Sequence, residues 1–81
     1  MTKQEMSDLE VDARGLLCPL PILRLARALR RAPAGTVAHL LATDPVAVED
    51  VSVFCREGGH ELLSTDRRGE VFSFRVKKSG S

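Results

Sequence analysis

Chemistry in this chain is concentrated at one thiol. Cys18 is followed by Pro19 and Pro21 within residues 11–22, V-D-A-R-G-L-L-C-P-L-P-I. Proline suits the first turn of a helix, where the amide it lacks would have no partner, so Pro19 and Pro21 predict a helix opening. A residue before proline is pushed out of helical dihedrals, which holds Cys18 extended at the helix entrance. The first turn begins at Pro19 or at Pro21, and both place the sulfur within about one turn of the positive end of the helix dipole. The thiolate is the nucleophile; a thiol of pKa about 8.5 is only about three per cent ionised at neutral pH, and helix N-termini commonly lower that value. Neither proline carries an amide hydrogen, so the first-turn donors thin to Leu20 and Ile22, and a moderate lowering is expected. A free cysteine can also be a small buried hydrophobe. Gly15 ahead of Cys18 and the prolines behind it argue for an exposed position instead.

The other candidate groups, Cys55, His39 and His60, form no local pattern. Their spacing is too scattered for a zinc site, and C-P-L-P lacks the second cysteine of a dithiol motif. Gly58 and Gly59 are a helix stop and not a phosphate loop. Three phenylalanines that all serve a core leave no stacking platform for single-stranded RNA. Composition agrees: 81 residues, 43% apolar and 28% charged with a net charge of +1, describe one soluble domain without a field for nucleic acid or membrane. No signal-peptide core or bilayer-length apolar run occurs, so the expectation is a cytoplasmic monomer with free thiols, no metal and no cofactor.

The elements that must position Cys18 read clearly. Residues 1–8 are polar and expected to be disordered; one domain spans 9–77, and 78–81 form a flexible tail. Leu9, Val11 and Ala13 alternate with Glu10, Asp12 and Arg14, the period of a half-buried strand, and Gly15 permits a turn into the cysteine loop. Over 21–32, Ile22, Leu25, Ala26 and Leu29 form a helical apolar stripe, closed by Pro33 and Gly35. Arg24, Arg27, Arg30 and Arg31 cover much of the remaining face, either as a solvated surface or as a docking surface near the thiol. Residues 36–42 predict a strand buried on both faces or central in a sheet, with His39 a satisfied core or edge histidine. Asp44 and Pro45 start a second helix, with Glu49 and Asp50 in favourable early positions. Ala47, Val51, Phe54 and Cys55 share its buried face. Residues 60–65 form a strand, 66–69 a hairpin loop and 70–77 a last strand with Phe72, Phe74 and Val76 on one side.

The pattern D12-x-x-G15-x-x-C18-P19-x-P21 resembles the TusA/SirA family of small sulfur-carrier proteins, whose signature is a Cys-Pro-x-Pro at the start of the first helix. A second block, A42-T43-D44-P45, D50, F54-C55 and G59-H60-E61-L62, is similar to that family's second turn, helix and strand, so the resemblance covers roughly residues 9–77. One departure is Leu20, where members associated with tRNA thiolation often carry an acidic residue. Right-handed crossovers stepping in one direction put both helices on one face. The order βαβαββ then gives a two-layer α/β sandwich on a mixed four-stranded sheet. The resemblance implies the same fold, with the last strand antiparallel between the second and third.

The resemblance also implies a sulfurtransferase role, in which Cys18 takes sulfane sulfur as a persulfide and relays it to an acceptor protein thiol in tRNA thiolation, cofactor assembly or sulfur metabolism. The donor is a cysteine desulfurase or another persulfide-bearing protein. Gly15, Pro19 and Pro21 position the thiol, and Leu20, Arg24, Arg27 and Arg31 bind partners. Leu16, Leu17 and Leu20 form an apolar collar, on a domain too small for a substrate pocket of its own. A peroxide-sensing thiol and a regulatory module that does not use Cys18 are the alternatives.

Overall fold

In the computed structural model, which describes residues 9–79, six elements follow one another: β1 (Leu9–Ala13), α1 (Leu20–Arg30), β2 (Val37–Ala42), α2 (Ala47–Gly58), β3 (Glu61–Arg68) and β4 (Val71–Lys77). The expected disordered segment 1–8 lies outside the described residues. The sheet order is β1-β2-β4-β3, with β1 parallel to β2 and β4 antiparallel to both its neighbours. The last strand is therefore inserted between the second and third, as expected. Helix α1 packs over β1 and β2, α2 over β3 and β4, and the helices touch one another, which makes the two-layer sandwich.

Helix α1 forms because Pro21, Leu25 and Leu29 recur every four residues and all go to the core, with Ile22 and Ala26 half-buried beside them. Arg27 and Arg30 in its last turn complement the negative end of the dipole. In α2 the same spacing buries Ala47, Val51 and Cys55. Gly59 closes it at φ 76°, a left-handed conformation that glycine adopts without a Cβ penalty, while the His60 amide donates back to Cys55 O at 2.9 Å. Between the layers Leu25, Leu29, Leu40, Val51, Phe74 and Val76 are almost fully buried. Phe54 and Phe72 only half-enter this core. The outer sheet face is mixed: Glu10, His39 and Arg75 stand in one row across β1, β2 and β4, with Leu41 and Val71 on the same face. His39 Nδ1 lies 3.2 Å from the Glu10 carboxylate, an edge-on polar contact and not a core one.

Two expectations are corrected by the strands. The hairpin loop is not 66–69 but Gly69 and Glu70 alone, since Asp66, Arg67 and Arg68 pair with Ser73, Phe72 and Val71. A glycine at the first of two loop positions, here with φ 60°, suits the twist of antiparallel partners, so the strands run on to the turn. Arg67 stabilises that end by lying over the Phe72 ring at 5.4 Å and donating to Gly69 O at 2.9 Å. Residues 78 and 79, assigned to the expected tail, are hydrogen-bonded to the rest of the domain, and residues 80–81 lie outside the described residues. The Lys78 amide donates to Thr36 O at 2.8 Å, its Nζ donates to Ala32 O at 2.6 Å, and the Ser79 amide donates to His60 Nδ1 at 2.9 Å.

Candidate functional site

The loop between β1 and α1 is built from two successive turns, closed by the Leu16 amide on Ala13 O at 3.2 Å and the Leu20 amide on Leu17 O at 2.8 Å. Gly15, at φ 82°, makes the first turn possible. Its amide donates to Thr43 Oγ1 at 2.9 Å, and the Cys18 amide donates to Asp44 Oδ2 at 2.8 Å. The other oxygen of the same carboxylate, Oδ1, accepts the Val46 amide at 3.1 Å at the head of α2. Asp44 is therefore not the cap expected of it, since Val46 holds that position without a side-chain bond; it closes a turn just ahead of α2 and fastens the cysteine loop to the β2–α2 connection. Near the loop's start Asp12 accepts from Arg14 Nε and Nη2, both at 2.9 Å, and from its amide, which together hold the Asp12 carboxyl at a pKa of about 2.

Cys18 is exposed, one residue ahead of Pro19, the residue that caps α1, and the Cys18–Pro19 peptide is cis. Its thiol donates to Asp50 Oδ2 at 3.0 Å. This contact overturns the expected lowering of the thiol pKa. The hydrogen bond to the Asp50 carboxylate, then partial desolvation, then the negative charges of Asp50 and Asp44 all push the Cys18 thiol up from its ordinary value. The helix dipole opposes this only weakly, because Pro19 and Pro21 have no amide hydrogen and the Leu20 amide is spent on Leu17 O. Cys55 is buried on the core face of α2, and burial raises its thiol pKa as well.

The thiol does have a pocket beside it, contrary to expectation. A cleft of about 370 Å³ runs between the start of α1 and α2, with Ile22, Val53 and Phe54 as its apolar floor and Glu49, Asp50 and Glu57 along its α2 wall. Leu17, Leu20 and Leu23 stand out on the other side, 69%, 46% and 56% exposed. Leu16, expected in this collar, instead packs against the core, and Leu23 takes its place. Arg24, Arg27 and Arg31 do lie together, but along a shallow groove shared with Glu10 and Asp12 on the β1 side of α1, away from the cleft. His60 belongs to packing: its ring stacks on Phe54 with centroids 5.2 Å apart. Among the described residues no group of three or more histidine, cysteine or acidic side chains is placed to hold a metal ion, and no helix is long and apolar enough to cross a membrane.

The sequence signals missed as site residues are Asp44 and Asp50. Both were legible as helix-start residues and as members of the second family-like block, but nothing local indicates that a carboxylate 26 or 32 positions away meets Cys18.

The fold and the site define a small α/β protein with one accessible thiol at a helix entrance. The chain belongs to the family described as Sulfurtransferase TusA, whose model matches residues 9–78. It is 46% identical over 72 residues to the sulfur carrier protein TusA of Allochromatium vinosum, covering 89% of this chain and 95% of that one. Over 71 residues it is 38% identical to the sulfur carrier protein TusA of Pseudomonas syringae, covering 88% and 84%. A crystal structure of a SirA-like protein from Desulfitobacterium hafniense superposes with a TM-score of 0.77 at 20% identity, covering 88% of this chain and 97% of the other, and so shares the fold.

Proposed function

We propose that the protein is a sulfur carrier that holds sulfane sulfur as a persulfide on Cys18 and passes it to the thiol of an acceptor protein. The observation that carries this reading is the exposed Cys18 thiol at the head of α1, in a chain whose relatives are sulfur carriers. Loading is a displacement at the outer sulfur of a donor persulfide: Cys18–SH and R–S–SH become Cys18–S–SH and R–SH. The new S–S bond forms as the donor's breaks, and the departing thiolate takes up the proton lost by Cys18. No net oxidation occurs. Unloading repeats the step with Cys18 as the leaving group, by the logic of thiol–disulfide exchange.

The residues divide the work. Asp50, 3.0 Å from the sulfur, stands within the reach required to receive the thiol proton during attack. Gly15 and Asp44 hold the loop, Pro19 and Pro21 keep the thiol ahead of the helix, and Leu20, Arg24, Arg27 and Arg31 meet partner surfaces. A cysteine desulfurase, or another protein bearing a persulfide, suits the donor role, and tRNA thiolation, cofactor assembly or sulfur metabolism would consume the sulfur. A peroxide sensor is less well supported, because it needs a second thiol within reach. Here the second thiol, Cys55, is buried.

Intact mass after incubation with a cysteine desulfurase, cysteine and pyridoxal phosphate tests the proposal. Wild type and Cys55→Ala should gain the mass of one sulfur atom and Cys18→Ala none. Equal loading of Cys18→Ala would overturn it.

A further inference from the structure

The thiol of a sulfur carrier has to be quiet in the free protein and reactive in the complex. The cleft next to Cys18 has the composition to make that distinction. The described charged residues of its wall are all acidic: Glu49, Asp50 and Glu57 come from α2, while the facing side is Cys18 and Pro19 of the loop and Ile22 of α1. Asp44 adds a further carboxylate behind the loop, bound to the Cys18 amide. Among the described residues no cation lines the cleft, and Arg24, Arg27 and Arg31 open onto a different groove on the β1 side of α1. An anion such as thiosulfate or an inorganic polysulfide approaching the sulfur from the cleft meets like charge throughout. A positively charged group meets carboxylates on one side and an apolar floor on the other, a pairing that suits the long aliphatic stem and charged head of lysine or arginine.

We propose that this cleft receives a partner-protein segment carrying a lysine or arginine beside its own reactive cysteine, and that the cation pairs with Asp50 and so releases the Cys18 thiol for attack. The inference rests on the persulfide-relay reading and adds to it the chemistry of the partner and the means of activation. In the free protein Asp50 Oδ2 accepts the Cys18 S–H, and its negative charge opposes ionisation. Once a cation shares that carboxylate, the opposing charge is neutralised, and the thiolate gains a positive neighbour. The proton lost by Cys18 ends on the donor's departing thiolate, so the transfer balances as written above. Asp50 thus has two opposed effects: it restrains Cys18 alone and recruits the group that frees it.

Peptide mixed disulfides test this without knowledge of the natural partner. Two short peptides, each with a leucine near its cysteine and with either lysines or glutamates flanking it, are presented as disulfides with a chromogenic thiol. The chromophore released by Cys18 of the full-length protein is followed at low salt. Mercaptoethanol in place of the protein gives the intrinsic reactivity ratio of the peptides. Relative to that ratio, the lysine peptide should react at least about tenfold faster than the glutamate peptide on wild type, with the preference lost at high salt. Asp50→Asn should remove most of the preference while raising alkylation by neutral iodoacetamide at least about threefold, because the restraint on the thiol goes with the charge. Glu57→Gln, at an exposed position, should reduce the preference without that gain. No lysine preference on wild type, or an undiminished one in both variants, would overturn the inference. Neither result bears on the relay itself, which fails only if Cys18 of the wild type takes no sulfur from a donor persulfide.

Discussion

Asp50 Oδ2 accepts the Cys18 thiol at 3.0 Å, so the nucleophile and the group that restrains it belong to different elements, 32 positions apart in the chain. The pH dependence of the thiol follows from this pair. The folded protein binds the Cys18 proton more tightly than the unfolded chain does, so the contact supports the fold below the ordinary thiol range and is lost as pH rises through the raised value. Iodoacetamide should alkylate Cys18 more slowly at neutral pH than it alkylates a cysteine peptide, with a midpoint on the alkaline side of the peptide's. A midpoint on the acid side would mean that the helix dipole outweighs the carboxylates.

Asp44 joins the Cys18 amide to the Val46 amide through its two carboxylate oxygens. Asp44→Ala leaves both amides without that partner, a loss of about 1–2 kcal/mol by the usual worth of two hydrogen bonds to a carboxylate at an exposed site. Denaturant unfolding should report that loss. Sulfur loading of Cys18 should slow at the same time, because the loop is no longer fixed to α2. Unchanged loading in a destabilised variant would show that the loop holds itself.

Gly58 is a packing residue, although it reads as half of a glycine stop. A Cβ there would lie 2.8 Å from His60 Cδ2 and 2.9 Å from its Nε2. That ring is pinned by stacking on Phe54 and by the Ser79 amide, so it cannot yield easily. Alanine favours a helix over glycine by about 1 kcal/mol, yet Gly58→Ala should lower the melting temperature, since overpacking costs about 1–3 kcal/mol. A raised melting temperature would show the ring to be free to move.

Arg27 lies with Arg24 and Arg31 on the groove beside β1, separate from the acidic cleft. Arg27→Glu should slow sulfur transfer from a protein donor at low salt by about threefold to tenfold, an effect that fades at high salt. Alkylation of Cys18 by iodoacetamide should not change. A parallel fall in both rates would mean that the arginines act on the thiol, and no fall in either that they only solvate the helix.

The legible parts of this fold are those where periodicity reports burial. Phe72, Phe74 and Val76 alternate with Ser73 and Arg75, and Leu25 and Leu29 repeat at helical spacing, so β4 and α1 read directly. The end of β3 does not, because Asp66, Arg67 and Arg68 are exposed and their types imitate a turn; their pairing with β4 depends on the partner strand. The thiol was legible from its prolines. Its electrostatic setting was not, since Asp44 and Asp50 reach it only through the packing of α2 beside the cysteine loop.

The sheet also governs how two copies of the protein meet. Its outer strands are β1 and β3, each paired on one side only among the described residues, and such edges are the natural sites for strand-to-strand association. β3 has a shifted register between Leu62 and Ser64 and ends in three charged residues, while β1 is only five residues long and carries Glu10 and Asp12. An irregular ladder on one side and a short, acidic one on the other give a second chain little to continue. Self-association by sheet extension is thereby discouraged at high concentration, and encounters are left to the helical layer, where the sulfur is.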